Sequence, residues 1–284
     1  MQIFKDLSNE KYHSYGSEYI SSSFVKGVAK HSVAKALQPL EPSQALIFGD
    51  AFHSYMEDMR KFYDRFVVFD DTEIIESIKE SRPDISVPSM TKDYKKFKSE
   101  FESKLSEGQS VISKDDMDTI EAMHASIITN RGLQWIYDKV DFDHVWDEYS
   151  FLSSELDIYG LQYRVRPDRL LVSSNGDDYK REAIIDWKTC QDASEKSFRS
   201  DFWRYRYDLQ CAFYCMVLEV PMSSFYYVAV EKNYPYNCCV YGIDTETQER
   251  ASKELSEILH RISVWKRKPS EPTGLPNQNE VTLL

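Results

Sequence analysis

One stretch, Tyr163 to Lys188, constrains this chain more than any other. It opens Tyr163-Arg164-Val165-Arg166-Pro167-Asp168-Arg169-Leu170-Leu171-Val172 and closes Ala183-Ile184-Ile185-Asp186-Trp187-Lys188, with a polar turn over 173–178 between them. Two β-rich runs around a turn containing Asn175-Gly176 predict a hairpin. Asp168 sits between Arg166-Pro167 and the apolar run Leu170 to Val172. Asp186 follows eighteen residues on, and Lys188 two places later. Side chains alternate along a strand, so Asp186 and Lys188 share a face. Two carboxylates and a lysine at a sheet edge suit a hard cation, which takes oxygen ligands and keeps several waters. A cation there would offset the charge of a phosphodiester and acidify a bound water. The lysine would orient that water or balance charge on the phosphorane.

Pro167-Asp168, then Asp186-Trp187-Lys188, resembles the PD-(D/E)XK nuclease motif. Arg82-Pro83-Asp84 repeats the Arg-Pro-Asp triplet, but in a polar stretch with no Asp-x-Lys on a strand downstream. Asp84 is therefore expected to be a surface turn residue.

With 42% hydrophobic and 14% aromatic residues in 284, the chain can bury a sizeable core. The formal net charge of −12 argues against a uniformly basic DNA-binding surface and leaves room for a local one. No apolar run reaches the length of a membrane span, and no signal-peptide core opens the chain. A cytoplasmic protein without a membrane partner is expected. The five cysteines, Cys190, Cys211, Cys215, Cys238 and Cys239, all lie in the second half, which suggests reduced thiols. An iron–sulfur cluster built from one early and three late cysteines is rejected, because no cysteine precedes Cys190.

Towards the N-terminus, Ser21 to Ser23 can cap a helix over Phe24 to Leu37. The order Tyr12-His13, Ile20-Ser21-Ser22-Ser23, then Leu46-Ile47-Phe48-Gly49-Asp50-Ala51-Phe52-His53 resembles the RecE-type exonucleases of phage and prophage recombination. Gly49 to Phe66 reads as an amphipathic helix with Ala51, Phe52, Tyr55, Met59 and Phe62 on one side. Gly49, His53 and Glu57 follow at i, i+4, i+8. That pattern resembles the RecB-like and RecE-like helix that contributes a metal-ligating or DNA-end-facing histidine, and a neutral imidazole can ligate. Helices are also expected over 91–106 and 114–130, the latter opened by Ser113 and Asp116. The lysines at 92, 95, 96 and 98 read as a solvated face.

Val145 to Leu152 reads as one strand. In the resembling families a glutamate at its start joins the metal site, which picks Glu148 over Asp147. Further strands are expected over 159–165, 168–173 and 182–188. Thr189 to Ser200 reads as a mobile polar stretch. Phe202-Trp203-Arg204-Tyr205-Arg206-Tyr207 interleaves aromatics with arginine, which suits stacking and phosphate contact along a strand of DNA. A helix over Arg206 to Val220 follows, with Leu209, Phe213, Met216 and Val217 as its core face. Its Tyr207-Asp208-Leu209-Gln210 resembles the Tyr-x-x-Gln motif whose glutamine orients the catalytic lysine or water. Strands over 225–230 and 238–243 and a long helix over 247–268 complete the body, and 269–284 reads as a flexible tail.

The resemblance implies an α/β fold: a PD-(D/E)XK restriction-endonuclease-like core, a mixed central sheet flanked by helices, with an N-terminal helical elaboration. One nuclease domain over 1–268 is expected. It would have a mainly helical part at 1–140, the catalytic sheet at 141–243 and a C-terminal helix at 244–268. The implied activity is a Mg²⁺-dependent double-strand DNA exonuclease, 5′→3′, leaving 3′ overhangs for strand annealing; Mn²⁺ should substitute. The implied catalytic set is Asp168, Asp186, Lys188, Gln210 and Glu148, with His53, Asp168, Asp186 and Glu148 as metal ligands. Arg164, Arg166, Trp203, Arg204, Tyr205, Arg206 and Tyr207 are the expected DNA contacts. Expected partners are duplex ends, a single-strand annealing protein and, by family habit, further copies in a ring. An endonuclease or single-strand nuclease on the same core stays open, as does a non-catalytic DNA-binding module.

Overall fold

The computed structural model describes residues 1–38, 44–176 and 178–268. The segment 269–284, read above as a flexible tail, lies outside them. In chain order the structure runs β1 (Gln2–Phe4), α1 (Asn9–Ser14), β2 (Tyr19–Ile20), α2 (Ser22–Lys30) and α3 (Val33–Ala36). There follow α4 (Gln44–Glu57), α5 (Met59–Arg65), β3 (Phe66–Phe69), α6 (Thr72–Ser81), α7 (Lys92–Glu102), β4 (Ser110–Ser113) and α8 (Lys114–Ile128). Next come α9 (Arg131–Lys139), β5 (His144–Asp147), β6 (Ser150–Leu152), β7 (Gln162–Val165), β8 (Arg169–Asn175) and β9 (Asp178–Cys190). The chain ends with α10 (Glu195–Tyr205), α11 (Tyr207–Leu218), β10 (Phe225–Glu231), β11 (Cys238–Tyr241) and α12 (Thr245–Arg267). Among the described residues no helix is long and apolar enough to cross a membrane.

The chain groups into two compact units. The first comprises Met1–Glu41, Thr129–Glu231 and Asn237–Leu284; the second comprises Pro42–Ile128 and Lys232–Tyr236.

The first unit holds a five-stranded mixed sheet in the order β11-β10-β9-β8-β5. β9 pairs in parallel with β10, and the remaining pairings are antiparallel. The central strands are covered on both faces: Ala183 to Trp187 and the whole of β10 are buried. Such strands read as continuous apolar runs, which is why Asp186 stands out inside one. The hairpin β8–β9 forms as expected, tighter than the polar run suggests, with Asn175 facing Asp178 and Gly176 at φ +63°. That left-handed backbone suits glycine. A four-stranded sheet in the order β1-β6-β7-β2 lies in the same unit.

α11 is buried almost all round, and α2 and α12 pack on it. The Ser21 hydroxyl caps α2 by accepting from the Phe24 N–H at 3.3 Å, and Val25 and Val28 are buried. The helix stops at His31, and Ser32 caps a separate short turn, so the single helix expected over 24–37 is two. α10 overturns the reading of 189–200 as mobile. Phe198 and Phe202 are four apart and both buried, so the polar sequence around them is only the outer face.

The second unit contains a parallel pair, β3–β4, and the helices α4 to α8. The helix expected over 49–66 breaks at Asp58, which adopts an extended backbone and accepts from the Arg60 N–H at 2.8 Å. Ser113 and Asp116 form the expected cap at the start of α8, the Ser113 hydroxyl accepting from the Asp116 N–H at 3.1 Å.

α10 and α11 meet at Arg206, whose left-handed backbone (φ +56°) ends one helix and starts the next. That conformation costs a non-glycine residue about 1–2 kcal/mol. Its guanidinium grips Asp208, 3.0 and 2.9 Å away, and Glu254 on α12, 2.8 and 2.6 Å away. Asp208 is only 1% exposed, so removing the cation strands a buried charge. Arg206→Met should lower the unfolding free energy by on the order of 3 kcal/mol, read as a shift of the urea midpoint at unchanged slope.

Candidate active site

β9, β8 and α11 bring the sequence-expected residues of the first unit together. The side chain of Asp168, just before β8, accepts the backbone N–H of Trp187 at 2.7 Å. That N–H lies between Asp186 and Lys188, so one bond fixes the first acid against the second acid and the lysine. Asp186 is 1% exposed. Its Oδ1 accepts from the Gln210 amide Nε2 at 2.6 Å, and its Oδ2 is ion-paired with the Lys188 ammonium. Lys188 lies 4.8 Å from the ring centre of Tyr207, and Tyr207 stacks on Tyr227 at 5.5 Å. The Tyr227 hydroxyl donates to the Tyr207 carbonyl at 2.6 Å, which ties the first turn of α11 to β10.

Glu148 reaches the site through a break that the sequence reading did not foresee. The single strand expected over 145–152 is two, β5 and β6, which lie in different sheets. Glu148 sits at the break with φ +54°, and its N–H donates to the Asp168 carbonyl at 3.2 Å. A carboxylate oxygen of Glu148 and one of Asp168 lie within 4.8 Å of each other. The neighbouring Asp147 is engaged elsewhere: Arg169 grips it at 2.6 and 3.0 Å. Two hard oxygen donors at this separation fit one divalent cation, and oxygen donors are what magnesium and manganese prefer.

Charge is distributed unevenly around these acids. Burial alone would push the Lys188 ammonium down, but Asp186, Tyr207 and Asp168 outweigh it and hold it above the ordinary lysine value. Lys188 therefore stays charged beside Asp186. Lys26 on α2 has the opposite fate: burial and the nearby Lys188 charge push it down to about 8. Burial also pushes Tyr207 up to about 12 against the pull of Lys188.

The expected DNA contacts divide into two groups. Arg164 is buried, donates to the Tyr12 carbonyl at 2.8 Å and lies over the Tyr12 ring. Arg166 donates to the Ser150 hydroxyl and the Leu7 carbonyl, both at 2.7 Å, and to the Asn9 side chain. With Arg206 held by Asp208 and Glu254, each of the three guanidiniums donates to acceptors of the protein itself. Trp203, Arg204 and Tyr205 are exposed, and Tyr205 stacks on Tyr207 with ring centres 5.7 Å apart. Lys30 lies 5.7 Å from the Tyr205 ring centre. His53 stands on α4 in the second unit, edge-on to Phe52, and Glu57 one turn on pairs with Lys61 at 2.8 Å.

Lys26 and Lys30 are missing from the residues expected from sequence. They are spaced i, i+4 on a helix whose apolar positions are Phe24, Val25 and Val28. That spacing reads as an ordinary solvated stripe, and only the packing of α2 on α11 gives it meaning.

The family model described as "PDDEXK-like domain of unknown function (DUF3799)" matches residues 21–275. The chain belongs to this family. No curated protein matches it. A similar solved structure is that of a protein from Eubacterium rectale, provisionally named an exonuclease. It has a TM-score of 0.56 at 14% identity over 98% of this chain and 95% of that one. At that identity the likeness concerns the fold, and the fold is the PD-(D/E)XK nuclease core.

If Glu148 and Asp168 together hold a cation, Glu148→Gln and Asp168→Asn should each weaken Mn²⁺ binding by about tenfold or more, since loss of even an outer-sphere partner typically costs about 10–100-fold. Isothermal titration of the folded variants reads this. Unchanged affinity in both would remove the pair as a cation site.

Proposed function

We propose that this chain is a Mg²⁺-dependent double-strand DNA exonuclease that digests the 5′-ended strand and leaves a 3′ overhang for recombination by strand annealing. The observation that carries the reading is the linked set of Asp168, Trp187 N–H, Asp186, Lys188 and Gln210 within one unit. The duplex-end preference, polarity and annealing partner rest on the RecE-type resemblance of residues 12–13, 20–23 and 46–53.

Glu148, Asp168 and Asp186 would hold the cation, which when bound supplies a polarised phosphate and a more acidic water. The protein's own residues do the rest. Trp187 N–H keeps the Asp168 carboxylate from turning away. Gln210 fixes the rotation of Asp186. Lys188 carries a compact positive charge where negative charge builds on the phosphorane, so it stabilises the transition state more than the ground state. Exposed Tyr205 and Trp203 offer rings for stacking, and Arg204 and Lys30 offer phosphate contacts beside them. His53 enters this reading through its Gly-x-x-x-His-x-x-x-Glu pattern. His53→Ala in the Mn²⁺ titration tests it, and an unchanged affinity would leave it a structural residue.

End-labelled linear duplex and covalently closed circular DNA, each with and without Mg²⁺, test the activity. Loss of 5′ label from the linear form with the circle spared supports the proposal. Nicking or linearising of the circle indicates an endonuclease, and binding without cleavage indicates a non-catalytic module. Lys188→Ala should still bind duplex and Mn²⁺ but cut roughly 10²–10³-fold more slowly in single turnover. A parental rate with weakened DNA affinity would make Lys188 a phosphate contact.

A further inference from the structure

Gln210 is the one neutral side chain in the linked set, and a neutral amide can face either way. It offers an oxygen that only accepts and a nitrogen that only donates. Asp186 Oδ1 only accepts, so the nitrogen must be the end that meets it, as it does at 2.6 Å. Should the amide turn over, its oxygen would face the buried carboxylate, and the bond would become a repulsion. The neighbour at the other end therefore decides whether the bond to Asp186 holds.

That neighbour is Lys26. Its ammonium donates to Gln210 Oε1 at 3.2 Å, across 184 residues of sequence. An ammonium has three donors and no acceptor, so it can meet only the oxygen end of the amide. Lys26 at one end and Asp186 at the other admit a single orientation. α2 packs on α11 and buries Val25 and Val28, so Lys26 is delivered by packed helix rather than by loop. Lys26 also lies 5.9 Å from the centre of the Tyr207 ring that Lys188 meets at 4.8 Å. The two lysines thus approach the Gln210–Asp186 pair from opposite ends: Lys188 at Asp186 Oδ2 and Lys26 at Gln210 Oε1.

We propose that Lys26 is a positioning residue, which locks the orientation of the Gln210 amide and, through it, the rotation of Asp186. It acts on the reacting atoms only through Gln210. Its kinetic test rests on the nuclease reading above, and a spectroscopic test does not.

The kinetic test is a double-mutant cycle of Lys26→Met and Gln210→Ala, with single-turnover cleavage of linear duplex in Mg²⁺. Lys26→Met should slow the cutting step by on the order of tenfold at unchanged DNA affinity, a coupling ordinary for groups in one hydrogen-bonded network. In the Gln210→Ala background the same change should do almost nothing. Lys26→Arg, which keeps a cationic donor, should recover most of the rate. Multiplying effects in the double variant, or a loss confined to DNA affinity, would make Lys26 a direct phosphate contact and overturn the proposal.

The spectroscopic test needs no cleavage. The side-chain ¹⁵N–H₂ signals of Gln210, assigned by their loss in Gln210→Ala, should move or broaden in Lys26→Met and return in Lys26→Arg. Unmoved signals in folded Lys26→Met would overturn it, and Lys26→Ala serves if the methionine variant does not fold. If the parental chain cuts no DNA while these signals still respond to Lys26, the nuclease reading fails and the positioning role stands.

Discussion

The site depends on one backbone hydrogen bond, from Trp187 N–H to the Asp168 carboxylate. In the β8–β9 ladder Arg169 faces Ile185, so two residues further along Trp187 would face Pro167. Proline has no N–H to offer a ladder and marks the place where strand pairing stops. The Trp187 donor is left at the end of the ladder, beside a buried strand, where an unmet N–H is costly. The Asp168 side chain takes it. Proline before the first acid is therefore a structural device as well as a sequence signature. It ends the pairing at the point where a carboxylate must turn in, and the freed donor holds that carboxylate next to Asp186 and Lys188.

The same argument explains what the sequence made legible. The hairpin and the shared face of Asp186 and Lys188 follow from period-two alternation, whereas Gln210 is singled out by its Tyr-x-x-Gln resemblance. Alternation is a local rule acting on strongly patterned segments. The misreadings fall where a tertiary partner overrides local pattern. Glu148 breaks a run of eight strand-like residues because its two halves belong to different sheets, and no periodicity encodes that choice. α10 is hidden because only Phe198 and Phe202 face inwards, and two apolar residues among polar ones look like loop. Asp58 interrupts the helix by accepting the Arg60 N–H with its side chain, a cap placed inside a run that otherwise continues the helical period. Lys26 was illegible for a different reason. Its partner is 184 residues away, and a lysine on an amphipathic helix carries no mark of what it will meet.

Net charge and local charge point in opposite directions. The chain carries −12, yet in the first unit Lys26, Lys30, Lys188 and Arg204 surround Tyr205 and Tyr207. Screening limits the reach of an exposed charge to about 8 Å at physiological salt. The distant carboxylates therefore cannot cancel Lys30 and Arg204 for a phosphate that is already close, although Asp186 offsets Lys188. They weaken long-range attraction instead, which would make association slower and less salt-sensitive than on a uniformly basic surface. A nuclease can tolerate that, provided its substrate is held by local contacts.

The exposed rings and the buried pair are mechanically one assembly. Tyr205 stacks on Tyr207, Tyr207 stacks on Tyr227, and Lys188 lies against the Tyr207 ring while paired with Asp186. Between the exposed ring and the inner one sits Arg206, whose left-handed turn sets where α11 starts and hence where Gln210 falls relative to Asp186. The ion pairs of Arg206 with Asp208 and Glu254 hold that turn against its intrinsic cost. A side chain that the sequence offers as a phosphate contact thus bears on the site through the backbone. The surface aromatics, the helix junction and the acid–lysine pair cannot be varied independently, because a shift of α11 by a fraction of a hydrogen-bond length would loosen Gln210 from Asp186 and Tyr207 from Lys188 together.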